Sequence, residues 1–258
     1  MVPTQISPWA VRAWPYQATV PGDKAWFAPQ RRAAHDVARR YFRPRPRVLE
    51  EAAKVRRVGG TWLAVHYRAQ DKTRGGQRRP KRSLDDFRPF VRAAARDVRI
   101  RIRTEWIFTS QVERFVETAR DPHVFLATDD DGSGAKIRRT WSAAAASSVA
   151  RQADVARGHR GVPAFKVING TAHDDTNVQV LRDIYALASC DLLIHGFSAV
   201  SESAHYLNPA LHNRSVNLDV GRDRGDDLRD FDAAVAGLSA GRPRDLWFEA
   251  SLGVSHVV

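Results

Sequence analysis

The chain has 258 residues, of which 43% are hydrophobic and 9% aromatic, a composition that is typical of a globular protein and excludes disorder throughout. Its single cysteine excludes an internal disulfide, and no run of about 18 apolar residues occurs that would predict a transmembrane helix. The net charge of +12 suggests an anionic partner, but no aromatic-interleaved RNA-binding pattern or zinc-ligand spacing accompanies it, so nucleic acid is not an expected partner.

Helical and extended patterns alternate along most of the chain, after a Pro- and Trp-rich start at residues 1–29 that has no clear period. Helices are predicted at 30–40 and 48–58, because the Arg43-Pro44-Arg45-Pro46 segment between them forbids a continuous helix. Residues 72–82 form a predicted Gly- and Arg-rich loop, and Ser83 is the predicted N-cap of the next helix. Residues 99–108 fit a helix end or a strand equally well.

Five short apolar runs predict buried strands, at residues 61–67, 123–128, 164–168, 192–195 and 215–218. Apolar residues at helical spacing predict helices at 111–119, 135–149, 176–188 and 198–207. This alternation predicts an α/β fold with a Rossmann-like parallel sheet and helices on both faces. The sheet domain is expected at residues 58–220, after a helical segment at 1–57 and before a weakly patterned tail at 221–258. Cys190 is expected to be a small buried residue at a helix end.

Polar residues occur at the carboxyl ends of three of the predicted strands and directly after them. They are His66-Tyr67-Arg68 with Asp71-Lys72, then Thr128-Asp129-Asp130-Asp131, and then His195-Gly196-Phe197-Ser198. The carboxyl ends of parallel strands meet at one edge of a sheet, where such folds bind their ligands. The cations Arg68 and Lys72 suit a diphosphate, the first as a planar fork and the second as a point charge. Gly196 and Ser198 open a predicted helix, whose N-terminal N–H groups attract phosphate.

The acidic residues of this region allow more than one interpretation. The run Asp129-Asp130-Asp131 could hold a divalent metal at a nucleotide diphosphate, could bond to Arg68, Lys72 or sugar hydroxyls without a metal, or could be an Asp-rich turn. Asp183, inside the predicted helix 176–188, could accept paired donors from a guanine edge or could be an exposed helical aspartate.

Three segments together resemble the α-1,6-fucosyltransferases, of both the N-glycan core and the nodulation-factor types. The segment LAVHYRAQDK at residues 63–72 resembles the family's His-x-Arg-x-x-Asp-Lys signature. The segment VFLATDD at residues 124–130 is similar to the second family segment, and VLRDIYALASCDLLIHGFS at residues 180–198 is similar to the third. Upstream, YFRPRP at residues 41–46 is similar to the approach to the first signature. The resemblance covers roughly residues 25–219, and its specificity lies in the order and spacing of the segments.

The resemblance implies that this chain supplies the nucleotide-binding lobe of a GT-B glycosyltransferase, and that residues 1–57 are a remnant of, or a linker from, an acceptor lobe. It implies inverting transfer of fucose from the donor GDP-fucose to a saccharide or glycoconjugate acceptor, without a metal or another cofactor. Arg68 would bind the diphosphate with His66, Asp71 and Lys72 beside it. Asp129 and Asp130 would order the site, while Asp183 and Ser198, with Gly196 and Phe197, would hold the guanosine. Relatives of this type act in the Golgi lumen of eukaryotes or in the bacterial cytoplasm.

The chain departs from the family pattern at three positions. Ala69 replaces a second arginine, Ala199 replaces a second serine, and no glutamate follows the Asp71-Lys72 pair as a base for the acceptor hydroxyl. Loss of general-base assistance lowers a rate by about 10²- to 10⁴-fold. An alternative is therefore a GDP-sugar-binding module of the same fold with impaired turnover, and a further alternative, based on charge alone, is a basic nucleic-acid-binding protein.

Overall fold

Five parallel strands form one sheet within the residues that the computed structural model describes, which are 24–55, 59–67, 105–129, 131–150, 173–196, 198–218 and 224–240. The strands are β1 (Thr61–Tyr67), β2 (Pro122–Thr128), β3 (Val149–Ala150), β4 (Leu192–His195) and β5 (Ser215–Asn217). Their order across the sheet is β3-β2-β1-β4-β5, and every neighbouring pair is parallel. The predicted α/β class and parallel sheet are confirmed.

Eight α-helices accompany the sheet in the described part of the chain. They are α1 (Lys24–Tyr41), α2 (Pro46–Val55), α3 (Glu105–Thr118), α4 (Asp131–Arg139), α5 (Ala143–Ser147), α6 (His173–Ala188), α7 (Ala199–Leu207) and α8 (Arg224–Ala236). Two short 3₁₀ turns follow α7 and α8, at Pro209–His212 and Gly237–Ala240. Within the same ranges, none of the helices has the length and apolar character needed to cross a membrane.

The helices cover both faces of the sheet because successive side chains of a strand point to opposite sides. Trp62 and Ala64 of β1 lie in one apolar cluster with residues of α2, α6 and α7. Leu63 and Val65 lie in a second cluster with residues of α3, α4, α5 and α8. All of β1 after Thr61 is buried, as expected for a central strand of a parallel sheet.

The first two helices belong to the same packed structure as the sheet. Helix α2 packs against α6, and the two are joined by an ion pair of 2.9 Å between Arg182 and Glu51. Helix α1 packs against α7 and the 3₁₀ turn that follows it. The predicted domain boundary near residue 57 stays a prediction. Both α1 and α2, which precede that boundary, pack against helices that follow it.

The amino edge of the sheet is fixed by a reciprocal pair of hydrogen bonds between β1 and the residue before β4. The backbone N–H of Trp62 donates to the Asp191 carboxylate at 2.8 Å, and the N–H of Asp191 donates to the carbonyl of Trp62 at 2.8 Å. Two glycines precede β1 with positive φ, Gly59 at 100° and Gly60 at 70°. A Cβ on Gly60 would lie 2.5 Å from the carbonyl oxygen of Asp121, so a larger residue does not fit there.

One predicted helix is wrong in its extent. Residues 135–149 were predicted as one helix, whereas the structure has α4, a turn, α5 and then β3. The break occurs at Ser142, which is extended and whose side chain accepts a hydrogen bond from the N–H of Ala145 as an N-cap. The N–H of Ser142 itself donates to Glu113 of α3 at 2.6 Å, and the neighbouring Trp141 is buried against the same side of the sheet. Capping and tertiary contacts therefore override the helical pattern at this point.

Other predictions have mixed outcomes. The strands at 61–67, 123–128, 192–195 and 215–218 are confirmed to within one residue, as are Cys190 as a buried residue after a helix and the helix that Ser198 opens. The tail has more order than its weak pattern indicated, because α8 lies within it. The predicted strand at 164–168, the loop at 72–82 and the helix after Ser83 lie outside the described residues.

Candidate functional site

The strand order brings three of the predicted strand ends next to one another. In the register of the sheet, His66 of β1 lies beside Ala127 of β2 on one side and beside His195 of β4 on the other. The sequence proceeds outward from β1 through β2 and β3, and then resumes on the opposite side with β4 and β5. The position between β1 and β4 is therefore a topological switch point, where doubly wound sheets bind ligands beyond the carboxyl ends of their strands.

His66 ties the end of β1 to the first turn of α7. Its ring is buried, and its Nδ1 lies 2.6 Å from the hydroxyl oxygen of Ser201, which is fully buried. The two residues are separated by 135 positions in sequence. This short contact fixes the His66 ring at the boundary between strand and helix, so His66 is a structural support of the predicted site as well as a candidate ligand contact.

Two further buried histidines, His195 of β4 and His205 of α7, lie in contact with each other. The Nδ1 of His195 lies 2.9 Å from the carbonyl oxygen of Gly196, and the ring of His195 meets that of His205 edge to face, with centroids 5.4 Å apart. A carbonyl oxygen only accepts hydrogen bonds, so Nδ1 of His195 carries a proton.

His205 is held as a neutral imidazole. Its Nδ1 donates to the carbonyl of Ser201 at 2.9 Å, so its Nε2, which lies 2.9 Å from the hydroxyl of Ser215, accepts the proton of that hydroxyl. Complete burial, reinforced by the positive charge of Arg31, lowers the pKa of His205 well below its usual value of 6.5. Both ring nitrogens of His205 are therefore hydrogen-bonded in one fixed tautomer, and the ring joins α7 to β5.

A buried ion pair anchors α7 from the side away from the sheet. The guanidinium of Arg31, in α1, donates from two nitrogens to the two carboxylate oxygens of Glu202 at 2.8 and 2.7 Å. Arg31 also contacts the Nδ1 of His212 at 3.0 Å and lies over the ring of Phe27, 5.2 Å from its centroid. The side chain of His35, one turn further along α1, bonds to the carbonyl of Tyr206 at 2.8 Å.

The start of α7 is a well-formed helix N-terminus at the switch point. Ser198 is its N-cap, with an extended backbone, and its hydroxyl oxygen accepts from the N–H of Val200 at 3.2 Å. Gly196 and Ser198 are both buried, while Phe197 lies outside the described residues. The negative charge of Glu202 in this first turn is compensated by the two hydrogen bonds from Arg31, so this carboxylate does not cancel the positive end of the helix dipole.

The predicted acidic residues divide between the strand edge and the neighbouring helix. Asp129 is half-buried directly after β2, and Asp131 begins α4, whereas Asp130 lies outside the described residues. Asp183 lies in the middle of α6, which packs against α7, and is also half-buried. Within the described ranges there is no group of three or more His, Cys, Asp or Glu side chains placed to hold a metal ion.

The remaining predicted residues, Arg68, Asp71 and Lys72, lie outside the described part of the chain. In sequence they follow directly from Tyr67, the last residue of β1. Of the predicted set, His66, Asp129, Gly196 and Ser198 come together at one edge of the sheet, and Asp183 lies on the adjacent helix. The roles of all of these residues stay predictions.

Sequence reasoning missed a group of supporting residues: Arg31, Ser201, Glu202, His205 and Ser215. A buried arginine cannot be distinguished from the many exposed arginines of this chain by pattern alone. A signal did exist in α7, where Ser201, Glu202 and His205 are polar residues on helical positions that an apolar helix face would otherwise fill. Searches against protein-family models and against curated proteins found no match for this sequence.

Proposed function

We propose that the chain is the nucleotide-binding lobe of a GT-B glycosyltransferase, and that it transfers fucose from GDP-fucose to a saccharide hydroxyl with inversion and without a metal ion. The observation that carries this proposal is the placement of the three fucosyltransferase-like segments on β2, β1 and β4, three consecutive strands of the sheet. All strands of a parallel sheet end at one edge, so the support lies in the position of these three, which are neighbours that include both strands of the switch point, where such folds bind their ligands.

The cations that follow β1 in sequence suit a diphosphate. Arg68 would bind it as a bidentate fork and Lys72 as a point charge, both on the segment that leaves β1. The N-terminus of α7 adds N–H groups and the positive end of a helix dipole. As the bond between fucose and GDP breaks, negative charge develops on the leaving diphosphate. Fixed donors and cations aimed at that charge lower the barrier because they need no reorganisation during the reaction.

The guanosine end is proposed on the β4 side. Ser198 retains a hydroxyl proton to donate, since its oxygen is the acceptor in the N-cap bond. Asp183 would accept the paired N–H donors of the guanine edge, with Gly196 allowing close approach of the backbone and Phe197 packing on the base. His66 would lie between the two ends of the nucleotide, held by its bond to Ser201.

This mechanism requires a catalytic base for the acceptor hydroxyl. Fucosyl transfer to a hydroxyl requires removal of one proton from that hydroxyl, and the family glutamate is absent after Lys72. Asp71 is the proposed replacement, and Asp129, which directly follows β2, is a second carboxylate proposed to take the proton. This departure specifically favours the alternative function, a GDP-sugar-binding module with little or no turnover.

The test is calorimetric titration of the full chain with GDP and with GDP-fucose in the presence of a chelator. Saturable binding is expected for the wild type. Arg68→Ala is expected to weaken it by about 10- to 100-fold, the effect of removing hydrogen bonds between charged groups. The matched control is Arg120→Ala, an exposed arginine at the amino edge of the sheet, which should bind as the wild type does.

Two outcomes separate the proposals. Absence of binding to either nucleotide by the wild type, or equal binding by the wild type and Arg68→Ala, would contradict the nucleotide site. Binding of GDP-fucose without GDP release across a panel of neutral and charged oligosaccharides would support the binding module over the enzyme. A loss of activity in chelator that added Mg²⁺ or Mn²⁺ restores would show that the transfer depends on a metal.

A further inference from the structure

The end of α1 and the segment that leads into α2 form an exposed surface that combines arginines with aromatic rings. We define this α1–α2 surface as residues 37–47. The side chain of Tyr41 is 69% exposed, that of Phe42 44% and that of Val37 58%. Among the described residues only one other large apolar side chain, Val180, is comparably exposed, so three of the four lie on this surface.

The positive charge of the described chain is also most concentrated here. The surface contains five exposed arginines and no acidic residue between them: Arg39, Arg40, Arg43, Arg45 and Arg47. The rings of Tyr41 and Phe42 are exposed, so they do not serve to fill the apolar core. A purely solvated helix face does not explain them either, since such faces are occupied by charged and polar residues.

Local contacts preorganise part of this surface. The guanidinium of Arg40 lies over the ring of Tyr41, 5.2 Å from its centroid, which holds a cation at an exposed aromatic face. The side chain of Arg43 donates to the carbonyls of Arg39 and Phe42, both at 2.9 Å, and thereby caps the end of α1. The rings therefore project from a terminated helix whose last turn is fixed.

We propose that the α1–α2 surface binds a single-stranded nucleic acid, independently of the nucleotide site proposed above. Single strands are bound by a basic surface that follows the phosphates together with aromatic rings on which the bases stack. Both components are present within residues 37–47, and duplexes are not favoured because their bases are not available to stack. The expectation from sequence that nucleic acid is not a partner rested on the lack of an aromatic-interleaved pattern and of zinc-ligand spacing. The exposure of Tyr41 and Phe42 supplies the aromatic component.

The experiment is fluorescence anisotropy of the full chain with labelled oligo(dT) of about 16 nucleotides, the upper end of the site sizes of single-strand-binding folds. If four or five phosphates are contacted, affinity should fall by roughly 50- to 130-fold between 50 and 200 mM KCl, from a slope of about −0.7 per phosphate. Tyr41→Ala should weaken binding by at least about fivefold, the loss of one stacked base, and Tyr41→Phe should not.

Charge-neutralising variants give the matched control. Arg40→Gln with Arg45→Gln should reduce the magnitude of the salt slope by about 1.4, the contribution of two phosphates. Arg120→Gln with Arg139→Gln removes the same charge from exposed positions elsewhere and should leave the slope unchanged. Circular dichroism and thermal melting establish that each variant is folded. An excess of GDP should not displace the oligonucleotide, which separates this test from that of the nucleotide site.

Three results would overturn the proposal. The first is no saturable binding at 50 mM KCl. The second is equal affinity of Tyr41→Ala and the wild type, which would mean attraction by net charge alone. The third is equal or tighter binding of a heparin fragment of matched charge, which would assign the surface to an anionic polysaccharide.

Discussion

Removal of the Glu202 carboxylate should destabilise the protein far more than removal of an exposed ion pair. The side chains of Arg31 and Glu202 are only 11% and 6% exposed, and two short hydrogen bonds join them. Glu202→Gln keeps the shape and one acceptor but leaves the Arg31 cation buried without a counter-charge. Breaking a buried pair in this way costs about 3–5 kcal/mol of unfolding free energy, and we expect the lower end, about 3 kcal/mol, because the Gln oxygen still accepts.

The assay is urea unfolding of the full chain, followed by tryptophan fluorescence and circular dichroism together. The matched control is Asp232→Asn, which breaks the ion pair with Arg114, where the two side chains are 50% and 49% exposed. That pair should contribute less than about 1 kcal/mol and should lose its contribution in high salt, whereas the effect at Glu202 should persist. The double variant Arg31→Met, Glu202→Leu should recover most of the loss, because apolar residues remove both the charge and its desolvation cost.

Equal effects of Glu202→Gln and Asp232→Asn would refute this reasoning, since it would mean that water reaches Arg31 in the folded state. The reasoning would also be refuted if the double variant were no more stable than Glu202→Gln. The loss of unfolding free energy would then arise from lost shape rather than from an uncompensated charge.

The remaining predictions concern the two edges of the sheet. Asp191→Ala should lower the unfolding free energy by about 1.5–3 kcal/mol in the same assay, because the buried N–H of Trp62 loses a charged acceptor, and an unchanged stability would show that this hydrogen bond contributes nothing. Since the pKa of His205 is lowered in the folded state, the unfolded chain binds more protons below about pH 6.5, so stability should fall as the pH drops through that value, by at most about 1.4 kcal/mol per pH unit. Urea midpoints between pH 5 and 8 should show a flatter dependence for His205→Gln than for the wild type, and identical slopes would contradict the assignment. Gly60→Ala should destabilise more than Gly59→Ala, because both positions have positive φ but only Gly60 faces a backbone oxygen at 2.5 Å, and thermal melting of the two variants tests that ranking.

The sheet could be predicted from sequence because each long strand has a local signal. β1 and β4 are uninterrupted apolar runs that end in polar residues. This pattern is typical of a strand buried on both faces of a parallel sheet, and it can be recognised within the segment itself. β3 could not be predicted, since two residues have no periodicity. It forms because Val149 and Ala150 pair with β2, a contact that no local pattern encodes. For the same reason α8 was missed, since its order depends on the packing of Phe231 into the cluster beneath β5.

For the candidate site, the sequence indicated which residues lie at the strand ends but not which residues hold them in place. The rule that ligand contacts lie at the carboxyl ends of parallel strands selected His66, Asp129 and Ser198, and the structure has these three at one edge of the sheet, while their roles stay predictions. Their supports come from distant parts of the chain: Ser201 fixes His66, and Arg31 fixes the helix that carries Ser201 through Glu202. Such partners are chosen by three-dimensional proximity, and a single sequence shows only that polar residues exist at those positions.

The central position of β1 has a consequence for the synthesis of this chain. The contacts that close its β4 side join residues 129 and 135 positions apart, and the anchor of α7 spans 171. At the usual 5–20 residues per second, roughly 6 to 27 s pass between the appearance of β1 and that of its second neighbour. During that interval an apolar strand, buried on both sides in the finished protein, has an unpaired edge that another nascent chain could occupy. Slower elongation between β2 and β4 should therefore increase aggregation, and chaperones that cover strand edges should matter most before residue 195 is made.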